Sequence, residues 1–366
     1  MAVEARSPRF RNGRELNPQL IPGLLMGGPA FLLLLVFLLG PFFSGFYFSF
    51  TDQRLISPEP AGWVGTRNYS RLLRLSILTL EPEIDPATGQ PARAENGDLV
   101  YPRSRTFTRD EENYPQYAGL TEWFTVDTAG KRRVILAGDP KFMRGLVNNV
   151  LFACAVIPAQ MGIGLGLAVL VNQKLNGRNF FRTIYFAPVV TSMVVVSYVW
   201  TFLYDQHNGL INSFLGGLGL QAVNWLGDPG TALPAIIIMS VWQGVGMQMV
   251  LFLAGLQGIP QSLYEAASID GANGWQQFWN VTWPGLRNTT IFITVTITIA
   301  AFQLFTQPWT MTQGGPEDAT TTTVFRMVIK GFREQDIAYA AAITVTFFLI
   351  ILAINLIQRR VLQEEA

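Results

Sequence analysis

Six long, predominantly apolar stretches of this chain carry no charged residue, and that pattern restricts its fold more than any other feature. They run from Leu16 to Thr51, Gly145 to Gln173, Thr183 to Tyr204, Pro229 to Tyr264, Asn288 to Pro316 and Ile337 to Gln358. Each exceeds the roughly 20 residues a helix needs to cross a bilayer. None alternates as a barrel strand does, and a helix satisfies its backbone polar groups within lipid. The sequence therefore predicts an all-α integral membrane protein with six transmembrane helices. Composition agrees, with 49% hydrophobic and 14% charged residues and a mean hydropathy of +0.28. A net charge of +1 argues against a nucleic-acid partner.

The first run is far longer than a signal-peptide core and reads as a retained anchor. Four units follow: residues 1–51, a cytoplasmic N-terminus and first helix; 52–143, an extracytoplasmic insertion; 144–358, a transmembrane core including a loop at 259–287; and a tail, 359–366. Orientation rests on positive residues. Arg6, Arg9, Arg11 and Arg14, the Lys174 to Arg182 turn, and Arg359 with Arg360 are basic, whereas 205–228 holds no Lys or Arg, so both termini and the 259–287 loop are expected in the cytoplasm. Arg326, Lys330 and Arg333 oppose this, since they fall on the outer side.

The insertion holds 25 of the chain's 51 charged residues and is turn-rich at Glu81 to Pro86 and Asn96-Gly97. Extended candidates at Leu99 to Tyr101, Trp123 to Val126 and Arg133 to Leu136 fit a small, β-containing external domain. It is either a docking surface for a partner or an insertion that only packs on the spans. Thr320 to Thr323 reads as a loop before an amphipathic segment.

Enzyme chemistry finds little support. No Gly-x-x-x-x-Gly-Lys-Ser/Thr loop exists; the only Gly-Lys pair, Gly130-Lys131, continues with Arg132. A single histidine, His207, excludes histidine triads and clustered metal ligands, so no catalytic or metal site is expected. The single cysteine, Cys154, allows no intrachain disulfide and is expected to be a small core residue.

One polar break between apolar runs stands out: Glu265-Ala-Ala-Ser-Ile-Asp-Gly271-Ala272, followed by Phe278, Val281 and Pro284. Ser262 and Glu265 have capping-box spacing, and Gly271 is a natural helix stop. Trp275, Phe278, Trp279 and Trp283 then recur at i, i+3, i+4 and i+8, the apolar stripe of a helix at a membrane interface. This stretch resembles the coupling loop of binding-protein-dependent ABC importer permeases. Phe181 to Pro188, Gly209-Leu-Ile-Asn212, Gly255 to Pro260, Gly314-Gly-Pro316 and Ala338 to Ile343 are similar to the sugar-uptake branch, the maltose and glycerol-phosphate permease subunits. The likeness covers about residues 145–358. Val281 stands where isoleucine is commoner and Asn288 where a second proline is often found; the former is nearly isosteric, the latter bears on how the loop joins the next span.

The resemblance implies a permease of the prokaryotic cytoplasmic membrane. It implies a second, related permease chain, two ATPase subunits that bind ATP and Mg, and an extracytoplasmic solute-binding protein that delivers a sugar. This chain itself would bind no cofactor. Glu265, Ala266, Ala267, Asp270, Gly271 and Ala272 would contact the ATPase. Within the spans, Thr296, Gln303, Gln307 and Thr310 fall within about 60° of one another at 100° per residue, and Trp242, Gln243 and Gln248 add aromatic and amide groups. Neutral amides and hydroxyls suit a polyhydroxylated solute, although the same groups also bond neighbouring helices. Glycerol-3-phosphate or another polyol derivative is the alternative cargo. A secondary transporter would need intramembrane charges or broken helices, which the sequence does not display, and a membrane scaffold would not need the loop.

Overall fold

The computed structural model describes residues 20–57, 59–86, 88–128, 130–173 and 177–364. Arg6, Arg9, Arg11, Arg14 and Lys174, used above for orientation, lie outside them. Among the described residues five helices are long and apolar enough to cross a membrane: Leu25–Phe48, Pro140–Asn172, Pro229–Gln257, Arg287–Met311 and Ile337–Val361. These are the first, second, fourth, fifth and sixth spans below.

The expected third span is not one straight helix. Arg178–Val190 and Met193–Leu203 meet at 99°, so a sixth crossing exists only if this bent pair counts as one. Pro188 lacks an amide donor, and Thr191 and Ser192 are both extended, with ψ of 139° and 131°. Absence of charge measures how apolar a run is; it does not register two extended residues within it.

The second and fourth spans form the centre of the bundle. Each begins with an aspartate N-cap followed by proline at the first helical position, where its missing N–H is no loss. The Asp139 carboxylate accepts from the Phe142 amide at 3.0 Å and that of Asp228 from the Gly230 amide at 2.6 Å. Their backbones approach closely at Gly164, where an added Cβ would lie 2.7 Å from the Gln248 Cβ. Ala235, Ile236, Met239, Met249 and Phe252 of the fourth span are buried with Phe152 and Val156 of the second. The first span is peripheral; its Phe42 meets Phe348 of the sixth edge-to-face at 5.6 Å. Cys154 is exposed on the second span, so its assignment to the core is corrected. A small apolar side chain is as stable against lipid as against neighbouring helices.

The insertion does contain β structure, a three-stranded antiparallel sheet of β1 (Leu75–Leu80), β2 (Thr121–Thr128) and β3 (Lys131–Ala137), with β3 central. β2 and β3 include two of the expected segments. Leu99 to Tyr101 is not a strand and contributes only a bridge between Arg93 and Leu99. β1 escaped notice because Leu75, Ile77, Leu78 and Leu80 place apolar residues on both faces. One face buries Leu78, Leu80, Val134 and Leu136 against Leu120. Leu72 and Ala137 pack with Phe142, Met143, Tyr339 and Ile343, so the insertion is seated on the second and sixth spans.

Candidate functional site

Residues 259–287 form an elbow built mostly from local interactions. Its first helix, Gln261–Ile269, starts after Pro260, and no side chain caps it. The Ser262–Glu265 box is therefore corrected: Ser262 lies inside the first turn, and the chain enters through the extended Pro260. The helix ends as expected. Gly271 has φ +79°, the Ala272 amide donates to the Ala267 carbonyl at 2.9 Å and the Gly271 amide to the Ser268 carbonyl at 3.1 Å. These two bonds are the Schellman pattern, which places glycine in the left-handed conformation just past the helix.

A reciprocal capping box follows, at Asn273 and Gln276, with bonds of 3.0 and 2.8 Å. It opens a helical segment from Gly274 to Gly285 with a π turn at Phe278–Thr282. Two side-chain contacts fix the angle between the arms: the Gln277 amide donates to the Ser268 hydroxyl at 3.0 Å, and the Tyr264 and Thr282 hydroxyls lie 2.9 Å apart. The aromatic ladder is continuous, with Trp275–Trp279 at 5.7 Å and Trp279–Trp283 at 5.9 Å, and it is exposed.

Glu265, Ala266, Asp270 and Gly271 are exposed on this elbow, and Ala267 and Ala272 partly so. Glu265 makes no side-chain hydrogen bond among the described residues, so its charge is not used by the fold. It lines a cleft of about 1260 Å³ between the elbow and the ends of the second and fourth spans, with Asn172, Gln173, Tyr264 and Gln277. Two apolar residues that the sequence reading passed over complete the exposed surface, Ile269 at 86% exposure and Leu263 at 49%. Their signal was present, because an apolar residue beside a glycine stop in a polar loop has no core to enter.

The fifth span is interrupted. Its helix runs Arg287–Phe302, breaks at Gln303, Leu304 and Phe305, and resumes as Thr306–Met311. The break after Gln303 resets the helical phase, so of the shared face expected of Thr296, Gln303, Gln307 and Thr310 the first two keep it and the placement of Gln307 and Thr310 is corrected. Thr296 and Gln303 are exposed, Thr310 is half-buried and Gln307 is only 8% exposed. Thr296 donates its hydroxyl to the Phe292 carbonyl at 2.7 Å. In the fourth span Gln243 is half-buried, Trp242 exposed and Gln248 buried, its amide 3.5 Å from the Gln160 side chain. Gln248 is thus buried between helices with its side-chain oxygen unpartnered among the described residues, while Gln243 and Gln303 keep accessible amides. The interruptions in the third and fifth spans also remove the ground on which broken helices were thought absent.

At the opposite end of the bundle, buried charges pair within the chain. Asp139, 3% exposed, receives the Arg326 guanidinium at 3.0 and 3.1 Å and the Tyr339 hydroxyl at 3.1 Å. Arg326 also meets Glu334 at 3.1 Å, Lys330 pairs with Glu334, and Arg333 lies over the Trp309 ring at 4.8 Å. Each of the three cations that opposed the orientation therefore has a partner in this chain, and Lys330 is buried, which the loop's charge count cannot reveal. Burial pushes the Glu334 carboxyl up, but the Lys330 hydrogen bond and the Lys330 and Arg326 charges outweigh it and hold it below its ordinary 4.5. Among the described residues no group of three His, Cys, Asp or Glu is placed to hold a metal.

An apolar helical bundle with a polar elbow projecting from one end defines a class, the membrane-embedded transport components. The family described as binding-protein-dependent transport system inner membrane component matches residues 160–364, more than half of the chain, and the chain belongs to it. It is a transport component rather than an enzyme. It is 38% identical over 234 residues, 63% of this chain and 80% of the relative, to a probable ABC transporter permease protein, YurN, of Bacillus subtilis. It is 34% identical over 213 residues, 58% of this chain and 72% of the relative, to the trehalose/maltose transport system permease protein MalF of Thermococcus litoralis. A chain in the crystal structure of a bacterial alginate ABC transporter in complex with an alginate pentasaccharide-bound periplasmic protein shares the fold, with TM-score 0.57 and 22% identity over 62% of this chain and 81% of that one. The family match excludes the insertion.

Proposed function

We propose that this chain is a permease subunit of an ATP-driven importer for a sugar, mono- or oligosaccharide, delivered by an extracytoplasmic solute-binding protein. The observation that carries this reading is the elbow: a helix closed by Gly271, rigidly joined to a second arm, presents an unused carboxylate and exposed apolar residues beside an open cleft. Such a surface suits an ATPase subunit, which would bind the ATP and Mg; this chain would bind no cofactor. When the ATPase subunits close, the elbow moves with them, and the spans of this chain and a second, related permease exchange inward-facing and outward-facing states. Sugar cargo is supported by the trehalose/maltose relative and by the uncharged amides of Gln243 and Gln303, which exchange hydrogen bonds with hydroxyls without requiring a charge.

Orientation is part of the proposal. Both termini and the elbow lie in the cytoplasm and the insertion outside, which requires the bent pair to cross the bilayer. Reporters fused after Val223 and within residues 90–110 should signal the outer compartment, and one within 272–278 the cytoplasm. An elbow found outside would refute coupling. In proteoliposomes, uptake should require ATP, the ATPase subunits and the loaded binding protein together, while the purified chain alone should turn over no ATP. Accumulation driven by an ion gradient without ATP would overturn the assignment.

A further inference from the structure

The interruption of the fifth span leaves the Phe302 and Leu304 carbonyls without a backbone donor among the described residues, while the Ala301 carbonyl accepts from the Leu304 amide at 3.3 Å; in a bilayer free carbonyls need partners. The second span and the loop before the sixth supply them. Asn149, fully buried, donates its side-chain amide to the Phe302 carbonyl at 3.2 Å and the Ala301 carbonyl at 3.4 Å. The same side chain accepts from the Thr323 amide at 3.0 Å. The Thr322 hydroxyl donates to the Leu304 carbonyl at 2.7 Å while its oxygen caps the next helix, accepting from the Phe325 amide at 3.2 Å. Neighbouring Asn148 donates to the Thr321 carbonyl at 2.8 Å and the Asp318 carbonyl at 3.2 Å. One asparagine pair on the second span thereby joins the break in the fifth span to residues 318–323. That stretch holds Asp318 at φ +58°, in the left-handed region that aspartate tolerates.

We propose that Asn149, with Thr322, is a positioning pair for the solute pathway: it fixes the break that opens directly after Gln303 and makes the exposure of the Gln303 amide depend on the 312–323 loop. The proposal rests on the reading of Gln303 as a pathway residue. Gln303 closes the helix, its backbone amide donating to the Ile299 carbonyl at 3.2 Å, and keeps the exposed face of Thr296 and Ile299. Directly after it the chain turns, and Leu304 and Gln307 are buried. A displacement of the loop changes the Leu304 and Phe302 carbonyl bonds first, and through them the Gln303 amide.

The test uses the complete transporter in proteoliposomes and a membrane-impermeant cationic methanethiosulfonate. Cys154 is the chain's only cysteine, so Cys154→Ser with Gln303→Cys carries one reporter thiol. Its thiolate attacks the reagent, forming a mixed disulfide and releasing the sulfinate. Thiolate forms only where water reaches, so labelling reads exposure to an aqueous pathway. Adding Asn149→Asp, which keeps the acceptor for Thr323 but loses the two-carbonyl donor, or the isosteric Thr322→Val, should change the labelling rate of the reporter by about five-fold or more, on the scale of one lost hydrogen bond. Labelling of Ile84→Cys in the insertion, 70% exposed, should stay unchanged, because general loosening would alter both sites. An unchanged rate at a reactive position 303 in both variants would overturn the positioning role and leave the pathway reading intact. A reporter at position 303 that never reacts, in a complex that still transports, would remove the pathway reading itself and the proposal with it.

Discussion

The two ends of the helical bundle are held in place by opposite means. At the insertion end, charges are paired and two of them, Asp139 and Lys330, are buried: Asp139, Arg326, Lys330, the exposed Glu334 and the Tyr339 hydroxyl satisfy one another across three elements. At the elbow end, the shaping interactions stay within the elbow, from the Gly271 stop and the Asn273–Gln276 box to the Tyr264–Thr282 contact 18 positions apart, and the charged groups Glu265 and Asp270 are left to solvent. One end is closed on itself and the other is finished in shape yet unfinished in its contacts. The difference is the one expected if the elbow is completed by the proposed ATPase subunit.

The comparison breaks most visibly at Asp139. Replacing either member of a buried ion pair leaves the other uncompensated, so Asp139→Ala or Arg326→Ala should cost about 3–5 kcal/mol. Thermal unfolding of the purified protein in detergent checks this, with the double Asp139→Leu, Arg326→Leu variant expected to lose less than either single alanine. Equal losses in all three would mean that the network is not an energetic unit.

Legibility in the sequence follows the same division. The elbow was readable because its determinants lie within a few residues of one another: Gly271 stops its helix whatever surrounds it, and the aromatic ladder repeats at helical spacing. The buried network was not readable, because Asp139 and Arg326 are 187 positions apart and nothing local marks them as partners. Asn149 and Thr322 were missed for the same reason, and Thr320 to Thr323, taken for an ordinary loop, are all buried. The two breaks fall between these cases. Pro188 was a local signal, whereas the break after Gln303 depends on side chains from other elements to donate to its free carbonyls.

A second test addresses the elbow's shape. An added Cβ at Gly271 would meet nothing within 4 Å, so only its φ of +79° resists substitution. Gly271→Val should then misdirect the elbow at a strain of about 1–2 kcal/mol, and reduce uptake while the complex still forms. Gly271→Asn, which tolerates the left-handed region better, should retain most transport. If valine and asparagine behave alike, side-chain volume rather than backbone conformation governs the site.

A smaller effect is expected from Glu334, which is partly open to solvent. Its carboxyl is held below 4.5 in the folded state, so its stabilising contribution is fully present above the unfolded value. That contribution is lost as pH falls through the depressed folded value. Between pH 5 and 8 the Glu334→Gln variant should show a constant offset in melting temperature from the parent, and below about pH 4.5 the two curves should converge. Curves that stay parallel into acid would show that Lys330 and Arg326 gain nothing from this carboxylate.

The smallest effect on stability belongs to Glu265, and it is the sharpest test of the contrast. Since this side chain caps nothing and bonds nothing within the described residues, Glu265→Gln and Glu265→Ala should both leave the stability of the isolated chain within about 0.5 kcal/mol of the parent. In the assembled transporter the prediction reverses. If the carboxylate meets a cation of the ATPase, both variants should lose solute-stimulated ATP hydrolysis to a similar degree, because each removes the charge. An effect of Ala without an effect of Gln would assign the residue a neutral hydrogen bond to the partner. A loss of stability in the isolated chain would mean that Glu265 is consumed by its own fold, and the two ends of the bundle would then differ in degree only.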